Sequence, residues 1–525
     1  MQEAGGSVAD TAAGSASAAQ RTSAAGPDGE RLPDGFTWHG YLVQLLHIAS
    51  SIEHALMVQY LFAAYSLDDE NPRLEPDERR KVAQWRNLIL SVAKEEMGHL
   101  LTVQNVLCLL GGQLELVREN YPFDSAFYPF RFRLEPLSLG SLACYTFAEM
   151  GEIPRGDEGF RDRIVNLVEE HLSGREEEES LKKKDLRVRD AHQVGRLYER
   201  IIEILKDPKY IPDSAFSHNS VLFQASPDEW GRGYGIGGPP PREDDDFHRG
   251  SEKLQKRIAD GATHAAIMIE TAATRQQALN VLNRIAVQGE GRGVEPDSHY
   301  MRFRSIMQDL LDGVCKLSTH AMAENPLIRW PDVPDDATGN QITHPLSEKW
   351  GNMFNLRYRM LLTYLSHSFQ LAREGSAARL RGAVIHRVFA EMYNIKAIAG
   401  ILVRLPLTNW TKRERAGPPF QMPYTLAISM DPMDRWQQHR DLLRGALDLN
   451  GVLRGYLKRR IDRIDAIQKH CSWINRFLKF NRSLDAEFLG SNLEFLNAMG
   501  ELDRKSHDWI GKVIAGMARE EAPQT

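Results

Sequence analysis

Val92-Ala93-Lys94-Glu95-Glu96-Met97-Gly98-His99-Leu100-Leu101-Thr102-Val103 sets ionisable residues inside an apolar helical stripe. Trp85, Leu88 and Val92 lead into the stretch, and Val103, Val106, Leu107 and Leu110 follow it, at the 3.6-residue period of a buried helical face. Glu96 and His99 stand three residues apart between Val92 and Val103, so both project from one side of that helix. A carboxylate buried there is costly unless it is paired or binds a metal. Glu95 is read as facing outward. The helix runs from about Asp77 to Leu110, and Gly111-Gly112 is its stop.

The preceding segment repeats the pattern. From near Thr37 the stripe runs Leu42, Leu45, Leu46, Ala49, Leu56, Met57, Tyr60 and Ala64. Glu53 lies four residues after Ala49 and three before Leu56, on the apolar face, whereas His54 lies off its axis. A lone Glu in a stripe is more often a helix-edge group reaching solvent, and a lone Glu-x-x-His occurs by chance in many helices. Both together, each in phase with its stripe, form one half of the ferritin-like di-metal carboxylate site.

The other half requires a Glu from a third helix and a further Glu/His set from a fourth. A helix from about Leu142 to Glu152 ends in two candidates, Glu149 and Glu152, with Pro154 beyond; Glu152 is preferred. Either could equally be a plain terminal carboxylate. A helix from about Thr274 to Gln288 closes on Glu290, and His299 follows nine residues later at the start of another, which runs to about Leu317. On spacing alone these two read as a Gly-rich helix stop and a helix-start histidine.

The remaining chain bounds the alternatives. Residues 1–34 include a stretch rich in Ala, Gly and Ser with no basic start before an apolar core, a disordered tail and not a secretory signal. Residues 35–320 are expected to form the bundle, with a long loop at 206–250 inserted in it. Residues 321–525 are expected to form a second, C-terminal helical module with segments at 350–372, 379–403, 434–477 and 492–517. The charge block from Glu176 to Lys184 is read as a solvated insertion. A formal charge of −6 argues against the concentrated basic face of a nucleic-acid binder. No 18 consecutive residues are all apolar, so no membrane span is expected. Cys108, Cys144, Cys315 and Cys471 are far apart; they read as free thiols in the cytoplasm and exclude a thiolate zinc site. His367, His386 and Glu391 are read as structural.

The segments 51–61 (Ser51 to Leu61), 95–100 (Glu95 to Leu100), Gln288-Gly289-Glu290-Gly291, Ser298-His299-Tyr300 and Ala416-Gly417-Pro418-Pro419-Phe420 resemble the ferritin-like domain of the iminophenyl-pyruvate dimer synthase family. That family includes enzymes coupling two indole-pyruvate imines in violacein and rebeccamycin biosynthesis. The resemblance covers most of the chain after about residue 37. It implies Glu53, Glu96, His99, Glu290 and His299 as metal ligands, with Glu152 matching a Glu before a Pro in the family's third helix. The sequence departs there by one extra residue between Phe147 and Glu152. The pigment enzymes are much longer and carry a substantial N-terminal part where only the tail is expected here, so the resemblance is taken to imply the metal-binding domain and not the indole coupling or a haem.

The expectation is therefore a mainly α protein, a ferritin-like four-helix bundle with a C-terminal helical module. Carboxylates with imidazoles suit two Fe ions, with Mn as the alternative. The function expected is an O2-dependent oxidase or oxygenase acting on a small aromatic or amino-acid-derived substrate of secondary metabolism. The alternatives are a non-catalytic metal-binding protein and a biosynthetic scaffold; a homo-oligomer is compatible with each. Tyr60 and Tyr300 fall near the site but read first as core aromatics.

Overall fold

The computed structural model describes residues 32, 35–125, 127–128, 130–151, 158–175, 195–230, 269–290, 298–329, 340–409, 413–423, 425–470 and 486–520. The tail (except Leu32), Glu152, the charge block and Cys471 lie outside the described residues, as does the side chain of Glu290.

The first two helices carry the core of the bundle. Helix α1 (Trp38–Ser66) begins at Thr37, whose hydroxyl accepts from the Gly40 amide at 3.0 Å. Helix α2 (Pro76–Leu109) begins with Pro76 in its first turn and with Glu75 and Glu78 capping each other's backbone. It stops at Gly111, whose φ of +69° suits glycine, and the Gly112 amide returns to Leu107 O at 2.8 Å. His39 near the start of α1 reaches Leu110 O at 2.8 Å, and the Gln104 amide reaches Ser50, so α1 and α2 run antiparallel. Helix α1 is long and apolar enough to cross a membrane by length and composition, yet 61% of its most apolar window is buried inside the protein. It is a core helix.

Around this pair stand α3 (Leu139–Ala148), α4 (Glu158–Leu172), α5 (Gly195–Lys206), the single turn α6 (Pro227–Trp230), α7 (Arg275–Glu290) and α8 (His299–Leu311). Helix α3 packs on α4 and α8, α5 on α7 and α1, and α8 also on α2. Helix α4 was not anticipated from the sequence. The region expected as a loop from residue 206 holds 3-10 turns at Asp213–Ala215 and His218–Leu222 before α6, with Trp230 buried; residues 231–250 lie outside the described residues. The aromatic connector after α2 is extended: Phe123 and Phe132 exchange backbone hydrogen bonds, and Tyr128 stacks on Phe132 at 3.9 Å between centroids.

The second module is α9 (Pro345–Ser368), α10 (Ala377–Leu402), α11 (Pro432–His470) and α12 (Ala486–Glu520), with α9 packed on α10 and α11, and α11 on α12. A buried ion network joins three of them. Arg357 reaches Asp503 at 2.9 Å and Glu391 at 3.3 Å, and Arg387 reaches Glu391 at 3.1 Å. His367 and His439 share a hydrogen bond of 2.8 Å in the same interior. Glu391 thus belongs to the ion network and His367 to the pair with His439. Buried polar contacts tie the module to the bundle: His54 Nε2 meets the Tyr358 hydroxyl, and Arg381 holds Glu229 at 2.8 Å. Strand is confined, among the described residues, to a parallel pair, β1 (Pro326–Leu327) and β2 (Asn340–Gln341). The protein is mainly α, a ferritin-like helical bundle followed by a second helical module.

Candidate metal centre

Four helical segments deliver five ligand-type side chains to one point in the bundle. Glu53 comes from the middle of α1, Glu96 and His99 from α2, Glu149 from the C-cap of α3, and His299 from the first turn of α8. All five are between 0 and 4% exposed, so water does not screen their charges. Two triads form, Glu53–Glu96–His99 and Glu96–Glu149–His299, and in each the ligand atoms lie within 4.8 Å of one another.

Glu96 belongs to both triads. Its Oε2 faces His99 Nδ1 at 3.1 Å and its Oε1 faces His299 Nδ1 at 3.0 Å. Glu53 Oε2 lies 3.4 Å from His99 Nδ1, and Glu149 Oε2 lies 3.6 Å from His299 Nδ1. The two imidazoles stack with centroids 5.4 Å apart. Each outer carboxylate is steadied on its other oxygen: the Tyr60 hydroxyl donates to Glu149 Oε1 and the Tyr198 hydroxyl to Glu53 Oε1. Tyr60 is therefore more than a core aromatic, and Tyr198 was not anticipated.

The electrostatics describe carboxylates that need positive charge. Burial, and the negative charge of Glu96, push the Glu53 carboxyl up to about 7. Burial disfavours charge on His99, but its contacts with Glu53 and Glu96 prevail and raise it to about 10. His299 is likewise raised well above the usual imidazole range: burial opposes this, and the charge of Glu96 with the contacts to Glu149 and Glu95 outweighs it.

Three buried polar atoms of the centre, Glu53 Oε2, Glu96 Oε1 and His299 Nδ1, are left without a hydrogen bond. All three belong to the triads. A buried polar atom that makes no hydrogen bond is costly. Carboxylate oxygens with one imidazole per triad form a hard donor set suited to Fe(II) or Mn(II). The residues present fit a pair of metal ions.

Glu53, Glu96, His99 and His299 are thus brought together. Glu152 and the side chain of Glu290 lie outside the described residues. Glu149, the alternative in the third helix, completes the second triad. One reading is corrected: Glu95 does not face outward but is 0% exposed, bound by Arg302 at 2.7 Å, Gln288 at 2.7 Å and His299 at 3.0 Å. Every residue of α2 from Glu95 to Leu107 is buried, so the helix has no solvent side there. His54, also fully buried, binds Leu116 O at 3.0 Å and the Tyr358 hydroxyl and stays out of the centre.

Comparison with known proteins agrees with the architecture. Residues 46–229 match the ferritin-like family model. The chain is 25% identical over 412 residues to dichlorochromopyrrolate synthase of Lentzea aerocolonigenes. That match covers 73% of this chain and 36% of the relative, so the chain spans little more than a third of that protein's length. No solved structure matches.

Proposed function

We propose that this protein is a di-metal oxidase or oxygenase of the ferritin-like kind, using two iron ions and O2 on a small aromatic or amino-acid-derived substrate of secondary metabolism. The observation that carries this reading is Glu96, whose two oxygens each face a different imidazole at 3.0 and 3.1 Å. A carboxylate placed in that way would offer one oxygen to each of two cations. Glu53 and His99 would complete one position, Glu149 and His299 the other. Two irons, when bound, would supply the redox chemistry with O2 that no side chain here provides. The chain's own contribution is a water-excluding, preorganised cage in which Tyr60 and Tyr198 hold the outer carboxylates in register. The similarity to a synthase named for dichlorochromopyrrolate supports a biosynthetic role and a small-molecule substrate.

Metal analysis of the purified protein tests the reading. Close to two irons per chain are expected, with one lost in Glu53→Ala and both in Glu96→Ala, together with substrate-dependent O2 uptake by the iron-loaded protein. Folded protein that takes up no metal after anaerobic Fe(II) loading would sink it. The complete burial of all five residues favours one other reading, a closed structural metal site. Two bound ions that never react with O2 would select that alternative.

A further inference from the structure

The tautomers of the two histidines are dictated from outside the centre, by a residue that touches neither cation position. Glu95 is ion-paired with Arg302, Nη1 to Oε1 at 2.7 Å, and is therefore a carboxylate, which can only accept hydrogen bonds. Its Oε2 faces His299 Nε2 at 3.0 Å, so that nitrogen must carry a proton. The same Oε2 faces the Gln288 side chain at 2.7 Å, so the atom of Gln288 turned to it must be the amide nitrogen. The Gln288 oxygen is then fixed opposite His99 Nε2 at 3.0 Å, and that nitrogen must carry a proton too. A flipped amide would set oxygen against carboxylate and nitrogen against an imidazole N–H, losing both bonds at once. Each imidazole consequently keeps its Nδ1, the atom facing Glu96, for a cation.

We infer that Glu95 and Gln288 form a positioning relay, in which one carboxylate sets the coordinating nitrogen of both histidines, His299 directly and His99 through the Gln288 amide. The inference rests on the di-metal reading above and adds to it a coupling between the two positions. Arg302, also bonded to Ser91 Oγ at 3.2 Å, anchors the relay to α2 from α8. Groups that orient a metal-binding histidine commonly change metal affinity by about 10–100-fold when removed. Here one removal acts on both positions and the other on a single position. Glu95→Gln weakens both, whereas Gln288→Leu weakens the His99 position far more than the His299 position.

Zinc, being diamagnetic, is the probe. The protein is labelled with 15N-histidine and titrated with Zn(II), while stepwise affinities are followed by calorimetry. In the wild type, His99 and His299 are expected to show a metal-bound Nδ1 and a protonated Nε2. Gln288→Leu should lower the affinity of one step by about 10–100-fold and leave the other within a few-fold. A wild-type spectrum with either histidine bound through Nε2 overturns the relay without recourse to any variant. So does a Gln288→Leu protein with both affinities and the His99 signature unchanged. Wild-type protein that binds no zinc and no iron overturns the di-metal reading itself, and the relay with it.

Discussion

Tyr60 and Tyr198 stand in the same relation to the two ends of the centre, each donating its hydroxyl to the outer oxygen of a buried carboxylate. Neither hydroxyl faces a cation position, so their contribution is to stability and alignment. Tyr198→Phe is expected to cost about 1–3 kcal/mol, the usual penalty for leaving a buried acceptor without its donor. Urea denaturation of metal-free protein measures the loss, while the metal content of the variant should stay at the wild-type value. An unchanged midpoint would show that water replaces the hydroxyl. At this scale the sequence was partly legible. Glu53, Glu96 and His99 declared themselves because a charged residue in phase with an apolar stripe breaks a local rule. Glu95 and Gln288 broke no rule. A charged residue beside a stripe is ordinarily solvated, and only the packing of α8 over that side of α2 shows otherwise.

The helices depend on a few close approaches. Gly140 in α3 lies under the ring of His171 in α4; a Cβ there would stand 2.3 to 2.8 Å from the His171 ring and its Cβ. Those atoms belong to the inner part of a side chain whose Nε2 is held by Glu135 at 3.1 Å, so it cannot swing away cheaply. Gly140→Ala is expected to destabilise by about 1–3 kcal/mol as an overpacked contact. Because α3 ends on Glu149, the same variant should weaken metal binding. Denaturation and metal titration of one preparation measure the two effects, and a variant with wild-type stability would refute the close packing of α3 on α4. Helices α1 and α2 were legible because their stripes are long. Helix α4 was not, as its apolar pattern spans only 15 residues and lies between a Pro-Gly stretch and a charge block that both suggest a break. Glu149 lies at the very end of α3, where periodicity ceases to say which way a side chain points.

For the whole molecule, acidity and metal supply set the stability. Burial lowers the His367 imidazole to about 3, and its neighbour Arg435 adds to this; burial likewise takes His439 well below its usual range. Both are neutral in the folded protein and gain protons more readily when unfolded. Above about pH 6.5 neither form is protonated and no penalty arises. As pH falls from there toward 3 the unfolded chain takes up protons that the folded chain refuses, and stability drops. The slope approaches about 1.4 kcal/mol per pH unit for each such group. Denaturation midpoints between pH 7 and 4 should trace this decline; a flat profile would show that the histidine pair charges in place. In the opposite sense, metal that binds only the folded chain should stabilise it by about 2.7 kcal/mol at a hundredfold excess over Kd, so that the melting temperature rises with metal concentration. Chelation should reverse it.

The uninterrupted burial of α2 from Glu95 to Leu107 has a kinetic consequence. Amides in such a segment meet deuterium only when the molecule opens as a whole, because no solvent face allows a local breath. Glu96 and His99 ride on it. The exchange clock of this segment and the leak rate of a bound ion would then be one quantity, so that a cell keeping this chain folded would also be retaining its metal.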